Sequence, residues 1–426
     1  MSVSWKNDLK EERTTLFRQI ESLAKRYENS ATLGLYLEKP FELVLNCLDF
    51  SEGINLKDAQ GIVRKALSNG LESGVLSSDR ILTEIQRQTN SHLSKPLEHF
   101  RIIVSLSINN KSTFIDSIPL QRHMENSKIR IARVPPTDQD YMRRSKDIVN
   151  RQMPRDPQNY SYAIVKSLAR TKAAAVDDAL FNLDYMRGIW NLLLNFGFYR
   201  LRFSRVPEPP NDIVLGPTIV AFAPGAPVEE SDFWRHNSTF QPIKSAIRMN
   251  HHSDQFTENE RYLQRKLGKH VFRKELRSWI VDYCHALDYQ DLELAFVSLW
   301  RVLEKLSLIE QKDSHTHVAK RIAGLFRDPT FDECVLTILA TRRHEYVHQG
   351  TDIASPAVAI RLLREYVERT LVFYIENNHG FRDINSVREF LKLGTEKKSL
   401  SEQIKYANQK IQLLQARLEH VEENSK

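Results

Sequence analysis

The chain has 426 residues, which is long enough for more than one structural unit. Lys and Arg number 61 against 54 Asp and Glu, and the net charge of +7 suits a polyanionic partner such as RNA but is too small to select one. Apolar residues make up 41%, whereas Gly and Pro number only 14 and 16. This composition disfavours an all-β fold and favours a largely helical one.

The cysteines give no sign of a disulfide framework or of structural zinc. There are three, Cys47, Cys284 and Cys334, and no two have the spacing of metal ligands. A reducing compartment suits such a chain, and we interpret Cys334 as a small core residue. The N-terminus lacks an apolar signal core, and stretches such as Ile189–Phe198 are too short to span a bilayer. We therefore expect a soluble cytoplasmic protein with no membrane partner.

The first part of the chain, residues 1–250, predicts a mixed α/β region. Helical spacing alternates there with runs rich in β-branched residues, and no repeat is evident. The predicted helices are Trp5–Asn29, much of Glu42–Asn90 and Thr171–Asn195, and the predicted strands are Phe100–Ile108, Lys128–Val134, Tyr160–Ser167 and a pair within Ile213–Ala223. We expect this region to sense a trigger, to bind RNA or to hold a C-terminal activity silent.

From Arg261 the pattern is helical throughout, and residues 261–382 predict an all-α bundle. The last predicted helix starts at Pro356, with Ser355 as its N-cap. Asn377 and Gly380 mark its end. The basic stretch Arg261–Arg277 is either a solvated helix face or a track for phosphates. The other predicted helices are Tyr262–Ala286, Asp291–Ile309, Val318–Phe326 and Phe331–His348.

The C-terminal segment, residues 386–426, carries apolar residues in alternating steps of four and three. Such spacing over three heptads is typical of a coiled-coil seam. Two interpretations stay open: one amphipathic helix that packs on its own domain, or a coiled coil between copies of the chain. The seam consists of Leu400, Ile404, Ala407, Ile411, Leu414, Leu418 and Val421.

A dense polar cluster follows an apolar helical run in Thr337–Gly350, TILATRRHEYVHQG. Ionisable groups on a helix that also carries core residues are costly unless they pair or serve a site. Arg343 and His348 are five residues apart, with the polar His344 directly after the arginine. The bare interval is weak evidence, because it recurs at Arg87/His92 and Arg265/His270. Neither of those pairs follows an apolar run or has a histidine after its arginine.

Together with Leu292–Ile309, Val318–Phe326 and the helix that starts at Pro356, this motif resembles the Apea-like branch of the HEPN superfamily. The resemblance covers about residues 287–379, and Ala173–Asn195 is similar to the segment that commonly precedes this domain in such bacterial proteins. It implies a HEPN helical bundle and a metal-independent endoribonuclease without a cofactor. The catalytic residues are then Arg343, His348 and His344.

The chemistry of RNA cleavage suits these residue types. RNA carries its own nucleophile, the 2′-hydroxyl beside the scissile phosphate, and a histidine ordinarily titrates near neutrality and can move that proton. An arginine can neutralise the negative charge that develops on the phosphorane. Cleavage of this kind leaves a 2′,3′-cyclic phosphate and a 5′-hydroxyl. The alternative for Arg343 and His348 is a structural pair that orders the helix end.

Helical geometry separates the two main residues of the motif. Five residues rotate by about 140°, so Arg343 and His348 do not share one face, whereas His344 and His348 do. In the family, dimerisation brings two copies of the motif together across a symmetric interface, so we expect a homodimer or a higher homo-oligomer. His344 is then either a second proton donor or a hydrogen-bonding spacer.

Supporting roles are open at two further positions, Glu304 and Tyr346. Glu304, on a helix expected to pack nearby, either orients Arg343 or a histidine, or forms an ordinary salt bridge. Tyr346 either stacks on a base or is a half-buried core residue. His315 and His317 flank a loop, and we do not predict a metal site there because no carboxylate or cysteine lies at suitable spacing.

The resemblance implies an RNA-cutting effector of bacterial anti-phage defence, acting by abortive infection or as a toxin-like protein. Its substrate is then RNA, with tRNA as one candidate, and its trigger is phage-derived or a partner protein. Two alternatives stay open: a non-catalytic HEPN binding or oligomerisation module, and an interaction protein built around its coiled coil. The second alternative predicts motif residues scattered over a solvent face.

Overall fold

The computed structural model describes residues 3–6, 9–26, 33–50, 54–74, 76–109, 111, 122–124, 127–137, 139–195, 210–223, 233–237, 240, 253–310, 313–350, 352–353 and 355–423. The chain divides into two compact units. Unit 1 comprises Met1–Leu106, Ile118–Asn182 and Leu215–Ser238, and unit 2 comprises Ser107–Ser117, Leu183–Val214 and Thr239–Lys426. Residues 183–214 therefore belong to the same unit as the C-terminal helices.

The predicted mixed α/β class is confirmed. Over the described residues the strands are β1 Val3–Trp5, β2 Leu48–Phe50, β3 Glu98–Asn109, β4 Arg122–Met124, β5 Ser127–Ala132, β6 Tyr160–Ala169, β7 Thr218–Phe222 and β8 Phe233–His236. The helices are α1 Lys10–Arg26, α2 Leu33–Asn46, α3 Leu56–Glu72, α4 Ser78–Leu93, α5 Gln139–Asn150, α6 Lys172–Asn195, α7 Ser253–Gly268, α8 Arg273–Asp288, α9 Leu292–Leu306, α10 His315–Ala323, α11 Pro329–Gln349, α12 Pro356–Glu376, α13 Ile384–Lys392 and α14 Lys397–Glu423.

Unit 1 contains an N-terminal helical layer and a larger sheet. Helices α1 to α4, with the short antiparallel pair β1–β2, enclose an apolar core that includes Ile20, Leu67 and Ile85. Over the described residues the larger sheet has six strands, in the order β4-β5-β6-β3-β7-β8. Its strands β3, β6 and β7 are buried along most of their length and contain many β-branched residues, which fit a pleated surface. The predicted strands Phe100–Ile108 and Tyr160–Ser167 are confirmed as β3 and β6.

Unit 2 is built from helices α7 to α14 and the second half of α6. Helix α9 packs against α8 and α12, and α10 packs against α11. The close approach of α6 to α8 requires Gly188, because a β-carbon there would lie 2.6 Å from the Ile280 side chain. Burial of a continuous apolar stripe on α9 holds the bundle together. That stripe consists of Ala295, Phe296, Leu299, Trp300, Val302, Leu303 and Leu306.

The structure corrects three details of the sequence prediction in unit 2. Tyr262–Ala286 is not one helix, because α7 ends at Gly268 and α8 starts at Arg273; a glycine readily ends a helix. Ser355 does occupy the N-cap position of α12, but its φ is +53° and its side chain makes no capping hydrogen bond. Cys334 is exposed on α11 and is not a core residue.

Helix α14 covers the predicted heptad segment. Its seam residues are exposed or half-buried along the whole length of the helix. Among the helices of the described residues, none combines the length and the apolar character needed to cross a membrane.

Candidate active site

The polar motif lies on the last two turns of α11, and local sequence fixes where that helix begins and ends. Asp328 caps the N-terminus by accepting from Phe331 N, and Pro329 occupies the first turn, where its missing N–H costs nothing. Gly350 ends the helix in the left-handed conformation, with φ +67°, and its N–H bonds to the last carbonyls. Arg343, His344 and His348 therefore lie on regular helix next to a rigid terminus.

Glu304 is anchored from the core side. The indole Nε1 of Trp300, one turn earlier on α9 and fully buried, donates a 2.9 Å hydrogen bond to Glu304 Oε1. The same oxygen lies 3.5 Å from His315 Nδ1 and 3.9 Å from Arg343 Nη2. Glu304 thus lies close to residues of two other helices, α10 and α11. The sequence analysis expected its helix to pack near Arg343.

His315, the first residue of α10, contacts both Glu304 and Arg343. Arg343 Nη1 lies 3.3 Å from His315 Nε2. A guanidinium can only donate, so Nε2 must accept and the ring hydrogen resides on Nδ1, the nitrogen that faces Glu304. The neutral imidazole therefore bridges the carboxylate and the guanidinium. We call Glu304, His315, Arg343, His344 and His348 the Arg343 cluster.

The electrostatics of the Arg343 cluster favour the neutral form of His315. Partial burial and the charge of Arg343 lower the pKa of His315, and His344 and His348 act in the same direction. The negative charge of Glu304 opposes them without reversing the shift. A neutral ring is the form that can accept from Arg343, so geometry and electrostatics agree.

His344 and His348 lie side by side, as their spacing of four residues predicts. Their ring centroids are 4.6 Å apart, with 46° between the ring planes. Both residues are exposed. The structure thus places two solvent-accessible imidazoles on one helix face, within electrostatic reach of His315.

Arg343 uses only part of its hydrogen-bonding capacity. Its side chain is 20% exposed, and its contacts to His315 and Glu304 are 3.3 and 3.9 Å long. Within the described residues its Nε atom is buried and has no hydrogen-bond partner. A guanidinium has five N–H donors, and one of those on Nη1 contacts His315. The other Nη donors can meet an incoming anion.

Tyr346 and His317 lie outside the Arg343 cluster. Partial burial raises the pKa of Tyr346, and so do three carboxylates around it, Asp291, Glu293 and Asp352. Such an acidic environment repels a phosphate backbone, which favours the half-buried core interpretation of Tyr346. His317 closes the capping box of α10, where its Nδ1 accepts from Ser314 N at 3.0 Å.

The two other Arg-to-His intervals of the sequence serve local purposes. Arg87 donates bidentate hydrogen bonds to Glu84 on its own helix. The buried His92 lies 3.5 Å from Asp58. His270 accepts from Phe272 N. Neither pair resembles the part-exposed arrangement around Arg343.

His315 is the cluster residue that sequence reasoning missed. Glu304 is eleven residues away and Arg343 twenty-eight, so neither has a spacing that marks a shared site. The sequence feature that could have indicated His315 is that it directly follows Ser314, an N-cap residue that marks the start of α10. In the described part of the chain, no group of three or more His, Cys, Asp or Glu is arranged to hold a metal ion.

Comparison with protein-family models, with curated proteins and with solved structures finds no match for this chain. The similarity to HEPN domains therefore stays a prediction from the residues in unit 2.

Proposed function

We propose that unit 2 is a metal-independent endoribonuclease of the HEPN type, with the Arg343 cluster as its active site. The observation that carries the proposal is the under-used guanidinium of Arg343, which lies beside a neutral, oriented histidine. A bound phosphate would meet free N–H donors there without first breaking a strong ion pair.

In the proposed reaction, Arg343 binds the scissile phosphate and stabilises the phosphorane as its negative charge develops. The accessible imidazoles of His348 and His344 serve as the groups that take the proton from the 2′-hydroxyl and give one to the leaving 5′-oxygen. Glu304 and His315 hold the guanidinium in place. This division of labour requires no metal and no cofactor.

The proposal includes a homodimer. Arg343 and His348 lie on different sides of α11, so the motif of one chain does not bring them together on one face. Besides the buried Leu336 and Leu339, α11 carries an exposed stripe of Phe331, Cys334 and Ile338. A helix that is apolar on two opposite sides fits burial between its own bundle and a second copy. Two copies of His348 and Arg343 would then share one composite site.

The biological setting is proposed from the resemblance alone: a cytoplasmic bacterial effector that cuts RNA, with tRNA as one candidate, after a phage-derived or partner-protein trigger. Unit 1 would sense that trigger. The second candidate is a non-catalytic HEPN binding module. The presence of both Arg343 and His348, each of which lowers the pKa of His315, argues against it.

The test compares the full chain with an Arg343→Ala/His348→Ala variant, each incubated with total RNA in excess EDTA. We expect the wild type to cut RNA without metal and the variant to be inactive. Growth of cells that express each protein is measured in parallel, since an enzyme that awaits a trigger in the test tube can still slow growth where its trigger is present.

The matched control is Arg342→Ala, which removes the neighbouring arginine on the same helix and leaves the cluster intact. It should retain both RNA cleavage and any effect on growth. Equal cleavage by the wild type and the double variant would overturn the assignment of the site, and cleavage that disappears in EDTA would overturn the metal-independent mechanism.

A further inference from the structure

Helix α14 carries a long apolar seam that stays open to solvent in the described structure. Over 27 residues, from Lys397 to Glu423, the seam positions Ile404, Ile411, Leu414 and Leu418 are each between 51% and 62% exposed. The proposed nuclease makes no use of this helix. A regular seam of large apolar side chains in water is typical of a surface that a partner covers.

The order of residue types along the seam selects the kind of partner. In heptad notation the a positions are Ile404, Ile411 and Leu418, and the d positions are Leu400, Ala407, Leu414 and Val421. Two of the three a positions are β-branched and two of the four d positions are leucine. That combination favours two parallel strands, because each knob then fits the hole presented by an identical helix. A second α14 therefore meets the seam with matching geometry.

The charges beside the seam select the orientation. The g positions carry Gln403, Lys410 and Arg417. The e positions Ser401, Asn408 and Gln415 are uncharged, and the last e position is the acidic Glu422. Antiparallel pairing sets g against g, so with full overlap Lys410 would face Lys410 of the second copy. Parallel pairing sets g against e, and Lys410 then faces an uncharged glutamine. Like charges placed opposite each other are destabilising, so the parallel arrangement is favoured.

We propose that α14 pairs with α14 of a second copy of this chain in a parallel, in-register, two-stranded coiled coil. The pairing joins the chains through the end of unit 2 and is separate from any contact made by α11. It holds whether or not the Arg343 cluster cleaves RNA, because it rests on the seam alone.

Disulfide trapping in the full chain tests both the partner and the orientation. The background substitution Cys334→Ser removes the exposed native thiol. Leu414→Cys then places a thiol in the seam, and Leu413→Cys places one on the neighbouring residue outside it. Both leucines are exposed, at 60% and 72%, so accessibility does not separate them. In a glutathione buffer we expect Leu414→Cys to form the linked dimer at least about tenfold more than Leu413→Cys.

A seam-breaking substitution provides the second arm. Ile411→Asp added to Leu414→Cys should lower the linked dimer to the level of Leu413→Cys, whereas Leu413→Asp added to Leu414→Cys should leave it unchanged. Thermal unfolding of each variant checks that unit 2 stays folded.

Three outcomes would overturn the proposal. One is equal cross-linking of Leu413→Cys and Leu414→Cys, which would leave the seam without a second copy. Another is a cross-link that survives Ile411→Asp. The third arises when Ile404→Cys and Leu414→Cys chains are mixed: a link that forms only between the two different variants would show antiparallel pairing.

Discussion

Unit 2 contains two clusters in which an arginine meets a histidine and carboxylates, and they are built in opposite ways. Arg187, on α6, is fully buried, and all five of its N–H donors are used: two contact Asp184 Oδ1, two contact Asp288 and one contacts the carbonyl of Ile213. Arg343, on α11, is part-exposed, holds its partners at 3.3 and 3.9 Å and leaves Nε without a partner in the described residues.

The histidines of the two clusters also differ, because their pKa values are shifted in opposite directions. His285 contacts Asp184 at 2.7 Å. Partial desolvation of the ring opposes its protonation, but the hydrogen bond and charge of Asp184 outweigh that effect and raise the pKa of His285. His315 faces a guanidinium, and burial together with that charge lowers its pKa. An arginine whose donors are all used has none to offer a ligand, and its removal leaves buried carboxylates unpaired. An arginine with unused donors beside a neutral histidine can receive an anion.

Removal of Arg187 should give the largest effect on stability. Arg187→Leu would leave Asp184 and Asp288 buried without their cation, and the free energy of unfolding should fall by about 3–5 kcal/mol. Urea denaturation followed by tryptophan fluorescence measures the loss. A fall below about 1 kcal/mol would mean that the Arg187 network is not structural, and the contrast with Arg343 would disappear.

Removal of Arg343 should have the reverse profile. Arg343→Ala should lower the rate of RNA cleavage by about 10²–10³-fold, since the phosphorane loses its cation. The free energy of unfolding should change by less than about 1 kcal/mol, because the interactions of Arg343 with His315 and Glu304 are long and part-exposed. Arg343→Lys is the matched control: it keeps the charge without the planar fork and should recover part of the rate. A large loss of stability in Arg343→Ala would place this arginine in the same structural class as Arg187.

His315 offers a smaller effect with a matched neighbour. His315→Leu removes the acceptor for Arg343 and should lower cleavage about tenfold by loosening the guanidinium. His317→Gln keeps the capping box of α10 and should leave cleavage unchanged. The two variants are compared by kcat and KM over a pH series. Equal losses in both would assign the effect to α10 as a helix and not to the imidazole that contacts Arg343.

The two histidines should also respond oppositely to pH. The folded pKa of His315 is lowered, so its contact stabilises above the unfolded pKa of about 6.5 and is lost as the pH falls through the folded value. The folded pKa of His285 is raised, so its contribution is present below the unfolded pKa and is lost as the pH rises through the folded value. Histidine NMR titration should order them His315 below His285, and the reverse order would contradict the electrostatics of both clusters.

Tyr346 provides the smallest expected effect. Tyr346→Phe removes a hydroxyl that lies among Asp291, Glu293 and Asp352, away from Arg343. Both cleavage and stability should change by less than about 0.5 kcal/mol. A large rise in KM would instead support base stacking and would extend the site towards the start of α9.

The sequence predicted the strands β3 and β6, the seam of α14 and the polar end of α11, because each depends on local periodicity or spacing. It did not predict the Arg187 network, since a buried arginine is recognised only when partners from distant segments surround it. It also missed His315, because its relation to Glu304 and Arg343 arises from packing between α9, α10 and α11. The break between α7 and α8 was missed because apolar spacing continues through Gly268.

The proposed reaction of the Arg343 cluster uses the 2′-hydroxyl of the RNA as nucleophile, and the chemical identity of the cleaved ends tests it most directly. A defined RNA is incubated with the full chain in EDTA, and the termini are determined by enzymatic end-labelling and mass spectrometry. We expect a 2′,3′-cyclic phosphate and a 5′-hydroxyl, absent with Arg343→Ala/His348→Ala. Ends with a 3′-hydroxyl and a 5′-phosphate would contradict this mechanism, because they require attack by water instead of the ribose.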